Sequence, residues 1–307
     1  MTIRRLLTAF IAVLLLIVAA PSAQAAKRHR HHSTRKAAAT RKQHSTRRAT
    51  TAAPTWAPAA SAPIHPGVQT FTAGAQCTAN FVFFDASNTV YIGQAAHCSG
   101  TGGNTATNGC TSGSLPIGTQ VQVTGASQPG VMVYNSWLTM QGLGEADANT
   151  CQFNDLALIK LNPADFGKVN PSIPFWGGPT GVTASVPDQS KVLSYGNSEL
   201  RLGISALSPK EGIQLSQDSG GWNHQVYTAT PGIPGDSGSA FLNSTGAALG
   251  VLSTVQIAPL AGSNGVGDVS REINYMNAHS SLGAQLALGT QPFNPNIAAN
   301  LLGALGL

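Results

Sequence analysis

Beyond residue 20 the sequence has no apolar run long enough to cross a bilayer. The body of the chain is therefore expected outside the membrane, or held on a surface by something other than a helix. Its four cysteines, Cys77, Cys98, Cys110 and Cys151, include no C-x-x-C pair, which removes the usual spacing of a zinc ribbon or redox dithiol. Residues 26–66 contain no acidic residue, against Lys27, Arg28, Arg30, Arg35, Lys36, Arg41, Lys42, Arg47 and Arg48. Residues 67–307 reverse the balance, with six Lys or Arg and twelve Asp or Glu, a formal charge of −6. The net +5 of the whole chain thus belongs to its first 66 residues, and specific nucleic-acid binding by the body is not implied.

Arg4 and Arg5, the apolar run of residues 6–20 and the A-x-A pattern at Ala23 and Ala25 have the three-part form of a secretory signal peptide, residues 1–25. An uncleaved anchor and a twin-arginine signal are the alternatives. Residues 26–66 are poor in apolar bulk and are expected to be disordered, because they cannot offset their ordering entropy by burial. They are a spacer or pro-segment, or a tail attracted to an anionic cell-wall polymer. His29, His31 and His32 sit in that solvated basic run and are not assigned a metal.

From residue 67 the texture changes to short β-rich runs separated by Gly, Pro, Asn or Ser, among them "NFVFFD", "TVYIG", "TQVQVT", "VMVYNSWLTM", "NDLALIKL" and "GAALGVLSTV". No long 3.6-residue periodicity interrupts them. The pattern predicts an all-β body, one large domain or two small barrels. Asp85–Asn88 is expected to turn a hairpin. Residues 270–282 are expected to form a short helix with Ser270 near its N-cap, and the apolar C-terminal tail a second one. Export makes disulfides permissible, and four cysteines allow three pairings that spacing does not choose among.

Three segments carry chemistry. In "GIPGDSGSAF", residues 232–241, Ser237 is either turn filler or a presented nucleophile. Gly235 and Gly238 permit a tight loop, and the N–H groups of Gly235 and Ser237 could hold an oxyanion. In "YIGQAAHCSG", residues 91–100, His97 follows an apolar strand beside Cys98. In "CQFNDLALIKL", residues 151–161, Asp155 opens a buried strand and needs a partner, which a His Nδ1–H would supply. In the order His, Asp, Ser, "QAAHC", "NDLALIKL" and "GDSGS" together resemble the signature segments of chymotrypsin-like serine proteases of the secreted actinobacterial type. "GDSGS" does not fit G-x-S-x-G, and the order is wrong for an α/β-hydrolase.

The resemblance implies two antiparallel six-stranded β-barrels, at about 67–170 and 171–280, with a C-terminal extension at 281–307 and a short C-terminal helix. It implies His97 as general base, Asp155 as its orienting acid, Ser237 as nucleophile, and Gly235 and Ser237 as the oxyanion hole. It further implies disulfides Cys77–Cys98 and Cys110–Cys151. Ser253 would lie near Asp155, and Thr254 and Val255 would pair with substrate backbone. Asp236 would need a cation, for which Arg201 is the candidate; an exposed loop arginine is the alternative. Pro231, at the expected pocket floor, is no carboxylate, so a preference for Lys or Arg is not supported. Val255 would narrow the pocket toward small or medium apolar side chains. Ser239 stands where glycine is commoner.

The function implied is a secreted, monomeric serine endopeptidase acting on protein or peptide without metal or organic cofactor. The alternative is a non-catalytic or latent protein of the same fold serving as a surface-attached binding module. Ester hydrolysis is open to the same machinery.

Overall fold

The computed structural model describes residues 54–103, 106–256 and 260–304. The leader expected at 1–25, and residues 26–53 of the basic segment, lie outside them. The β-rich runs form β1 (Gln69–Thr72), β2 (Ala75–Thr78), β3 (Val82–Phe84), β4 (Val90–Ala95), β5 (Gln120–Val123), β6 (Gly130–Asn135) and β7 (Leu156–Lys160). After a long connection come β8 (Lys191–Tyr195), β9 (Pro209–Asp218), β10 (Asn223–Thr228), β11 (Ala240–Asn243), β12 (Ala248–Val255), β13 (Asn264–Asp268) and β14 (Gln285–Leu286). Helices α1 (Ser136–Leu143), α2 (Ala148–Phe153), α3 (Val269–His279) and α4 (Ile297–Ala304) lie between and after them.

The architecture is all-β, in two antiparallel sheets. The second is a closed six-stranded barrel in the order β10-β13-β12-β11-β8-β9. The first differs from the six strands expected. It is an eight-stranded sheet in the order β14-β3-β4-β7-β6-β5-β1-β2: the chain itself supplies seven strands, with β1 and β2 a short hairpin, and the returning C-terminal segment adds the eighth by pairing Gln285 with Phe84 and Leu286 with Phe83, covering the edge of β3. One core fills the first sheet around Ile92, Met132 and Ile159, and another fills the barrel around Val192, Val226, Phe241 and Val266. A third, with Phe81, Leu158, Trp176, Leu193 and Met276, joins the two sheets. Trp176 is fully buried there with its indole N–H donated to Ser194 O at 2.7 Å.

Three local expectations change. The folded body starts before residue 67. Trp56 packs edge-on against Phe84, Ala57 N–H donates to Val169 O at 2.9 Å, and Ile64 is fully buried. Four prolines, at 54, 58, 63 and 66, stiffen this stretch, so little entropy is lost on docking it and a few apolar anchors hold it. The run "VMVYNSWLTM" turns from strand to helix at Asn135, whose side chain accepts from the N–H groups of Trp137 and Leu138. The helix at 269–279 is capped by Asp268, which accepts from Arg271 N–H at 2.8 Å, not by Ser270.

Candidate active site

Strand register brings the first two side chains together. In the β4–β7 ladder Ala95 faces Leu156 at the last pair, so the residues just beyond, at the end of one strand and the start of the other, leave the sheet side by side. A short 3₁₀ turn, Ala96–Ser99, follows β4. His97 Nδ1 lies 2.6 Å from Asp155 Oδ2, and His97 N–H donates to Asp155 Oδ1 at 2.8 Å. Ser253, on β12, donates its hydroxyl to Asp155 Oδ2 at 2.5 Å. Asp155 is almost wholly buried, and these three donors are what make its charge tolerable there. Burial would lower the pKa of His97, but the charge and hydrogen bond of Asp155 outweigh it and raise the pKa above the ordinary 6.5. With the Nδ1 proton held toward Asp155, Nε2 is left as the acceptor.

Ser237 comes from the barrel, in the turn before β11. Gly238 N–H donates to Leu252 O at 2.7 Å, Leu252 N–H to Ser239 O at 2.9 Å, and Thr78 N–H, at the end of β2, to Ser237 O at 2.8 Å. The last bond ties the Ser237 turn to the first sheet. Ser237 and His97 line the same cleft, of about 550 Å³. Among the described residues no hydrogen bond joins Ser237 Oγ to the His97 ring. Such contacts are often long without substrate.

The peptide groups around Ser237 are fixed by their carbonyls. Ser198 Oγ donates to Pro234 O at 2.5 Å, and a trans peptide points its N–H opposite to its carbonyl, which orients the N–H of Gly235. Gln76 Nε2 and Thr78 Oγ1 hold Gly235 O at 3.1 and 2.8 Å. Ser239 N–H donates to Asp236 O at 3.0 Å, and by the same rule orients the N–H of Ser237. Among the described residues neither the Gly235 nor the Ser237 N–H has a protein acceptor. Gly235 and Gly238, at φ +93° and +87°, hold conformations that disfavour a side chain.

Beneath this turn Asp236 is fully buried between two cations. Arg201 Nη2 lies 2.5 Å and Lys210 Nζ 2.9 Å from Asp236 Oδ2. Burial pushes the Asp236 carboxyl up, but Arg201 and Lys210 together hold it below the usual range. Lys210, itself fully buried on β9, is lowered by burial despite Asp236. The sequence reading did not single out Lys210, because a lysine on a polar strand carries no local mark of burial. It also missed Trp137, which lines the cleft beside the His97 ring, Gln76 and Ser198, which hold the carbonyls next to Ser237, and Glu272. Glu272 is fully buried on α3 and accepts from Asp155 N–H at 2.9 Å. Burial raises its pKa well above the ordinary carboxylate value. The Asp155 hydrogen bond opposes this, and the charges of Asp155 and Asp268 add to it.

Thr254 and Val255 line the cleft, whereas Pro231 does not. Pro231 O accepts instead from Arg201 and Lys210, each at 3.2 Å, so the residue expected at the pocket floor is held in the support of Asp236. Both disulfides implied by the resemblance are present, Cys77–Cys98 and Cys110–Cys151, with Cα separations of 6.2 and 5.1 Å. Cys77, His97 and Cys98 cluster closely, but the two sulfurs are bonded to each other and offer no thiolate to a metal.

No protein-family model and no curated protein matches the chain. Among solved structures, protease A of Thermobifida fusca is similar at 17% identity and a TM-score of 0.48, over 74% of this chain and 99% of that one. The Nocardiopsis protease is similar at 17% identity and a TM-score of 0.45, over 73% and 98%. A serine protease described as specific for glutamic acid is similar at 16% identity and a TM-score of 0.46, over 73% and 100%. The reading of the site rests on its own geometry.

Proposed function

We propose that this chain is a secreted serine endopeptidase that works through an acyl-enzyme. The observation that carries the reading is the Asp155 carboxylate, held by His97 N–H, the His97 ring and Ser253, with Ser237 across the same cleft beside two unengaged N–H groups. Ser237 Oγ attacks the peptide carbonyl carbon while its proton passes to His97 Nε2. The new oxyanion is received by the N–H groups of Gly235 and Ser237. His97 then returns the proton to the leaving amine as the C–N bond breaks, and water repeats the sequence on the ester. Asp155 holds the ring. Arg201 and Lys210 act through Asp236 by keeping the turn in place.

Two disulfides and the signal-like leader support an oxidising compartment outside the membrane. Residues 26–53, if retained, would hold the enzyme at an anionic wall polymer. The test is digestion of an unstructured protein by wild type, Ser237→Ala and His97→Ala, with intact-mass detection of the acyl-enzyme at low pH. Cleavage and a Ser237 adduct in wild type alone support the reading. A folded wild type that neither cleaves nor acylates supports the binding-module alternative instead.

A further inference from the structure

The end of the cleft nearest the nucleophile turn is walled by Ile233, Leu252 and Val255. Leu252 is bonded through its backbone to Gly238 and Ser239, so this end lies directly beside Ser237. The lining stops there: among the described residues Pro231, Gly232 and Asn264 do not reach the cleft.

Next to this end lies Asn264. This residue is fully buried on β13 and stands opposite Val255 in the β12–β13 ladder, so the two side chains share one face. Its Oδ1 accepts from Gly232 N–H at 2.8 Å. Its Nδ2 donates to Thr254 O at 3.2 Å and to Gly232 O at 3.4 Å. The amide therefore straps the loop before Ser237 to β12, next to Leu252 and Val255. A methyl group on Gly232 would fall 2.6 Å from Leu252 Cδ1 and 2.9 Å from Asn264 Nδ2, so the two walls already touch. No ionisable side chain is among these groups, and a charged substrate side chain would have no partner.

We infer that Asn264 closes the side-chain pocket beside Ser237, so that the enzyme cleaves after alanine-sized apolar residues and rejects long, aromatic and charged ones. The inference rests on the peptidase reading and adds its substrate class. Forcing a longer chain against the strap means overpacking a closed site, and apolar pockets discriminate by roughly 10- to 200-fold per methylene.

The test is kcat/KM for a peptide series differing only in the residue before the scissile bond: Gly, Ala, Val, Leu, Phe, Lys and Glu. Wild type should favour Ala over Phe, Lys and Glu by on the order of 100-fold or more. Asn264→Ala, which removes the strap, should raise the Leu-to-Ala and Phe-to-Ala ratios by about 10-fold or more. Val255→Gly, at an exposed rim, needs none of the Asn264 bonds in order to fold. It should admit Val, which is broader, and leave Leu and Phe excluded, since the floor is untouched. Equal cleavage after Phe or Lys, with Ser237 still labelled by a fluorophosphonate, overturns the inference alone. No cleavage of any peptide and no labelling overturns the peptidase reading and this inference with it.

Discussion

At the residue scale the site rests on two buried acidic side chains, Asp155 and Glu272. Asp155 is satisfied by three donors on its cleft side, and its own N–H rests on Glu272 Oε1 at 2.9 Å. Removing the charge at Asp155 while keeping its shape, Asp155→Asn, should lower kcat by about 10⁴-fold, since the His97 tautomer is no longer enforced. The His97 pKa is raised above 6.5, and only the neutral ring accepts a proton. Activity should therefore rise with pH through a limb lying above 6.5, measurable as kcat/KM against pH. In Asp155→Asn that limb should move to lower pH. Glu272 carries the opposite kind of information. Its folded pKa is raised, so its contribution to stability is fully present below its ordinary value of 4.5 and is lost as pH rises through the folded value. Glu272→Gln keeps an acceptor for Asp155 N–H and should flatten that decline, whereas Glu272→Ala orphans a buried N–H at a cost of about 1–3 kcal/mol. Urea unfolding at several pH values separates the two.

At the element scale the Ser237 turn depends on supports from three other stretches of chain. Ser198 holds Pro234 O, Gln76 and Thr78 hold Gly235 O, and Arg201 with Lys210 holds Asp236. Ser198→Ala frees the peptide that presents the Gly235 N–H. The loss expected is in kcat, by up to about 10²–10³-fold if that donor turns away, with KM little changed. Asp236→Asn leaves two buried cations with no anion and should destabilise the protein by about 3–5 kcal/mol. The folded pKa of Asp236 is lowered from 3.8. Its contribution is therefore present above pH 3.8 and is lost as pH falls through the lower folded value. What could be seen in the sequence follows from the same supports. The three segments around His97, Asp155 and Ser237 were legible because each sets a polar side chain beside a strand or turn that reads locally. Strand β9 was not, because its buried positions are Lys210 and Gln214, polar residues satisfied by groups distant in sequence: Asp236, Thr230 O and Pro231 O for Lys210, and Val186 O and His224 on the neighbouring strand for Gln214. Asn264 was invisible for the same reason: its partners, Gly232 and Thr254, are backbone groups distant in sequence. Helix α1 was hidden in an apolar run that begins as a strand, and its start is set by a single cap at Asn135.

At the scale of the whole molecule, the site exists because two sheets meet. His97 and Asp155 leave the first, while Ser237 and Ser253 belong to the barrel. Thr78 N–H to Ser237 O, Ser253 Oγ to Asp155, and the Gln76 and Thr78 side chains to Gly235 O are among the bonds that cross between them. The disulfides close 21- and 41-residue separations, worth about 3 and 4 kcal/mol by chain entropy. Cys77–Cys98 braces the turn that carries His97, and Cys110–Cys151 ties the loop before β5 to α2, just ahead of Asp155. Docking of residues 54–66 adds the burial of Ile64. A chain starting at residue 67 should be less stable than one starting at residue 54 by at least about 2–5 kcal/mol, the usual cost of emptying one such site. Thermal unfolding of the two compares them directly.

The most direct measurement is the rate at which a fluorophosphonate labels the folded protein, with the modified residue identified by peptide mapping. An activated serine beside a histidine base predicts a single adduct on Ser237, absent in Ser237→Ala and slowed at least about 10³-fold in His97→Ala. Labelling at another residue, or at Ser237 at the same rate without His97, would contradict the account.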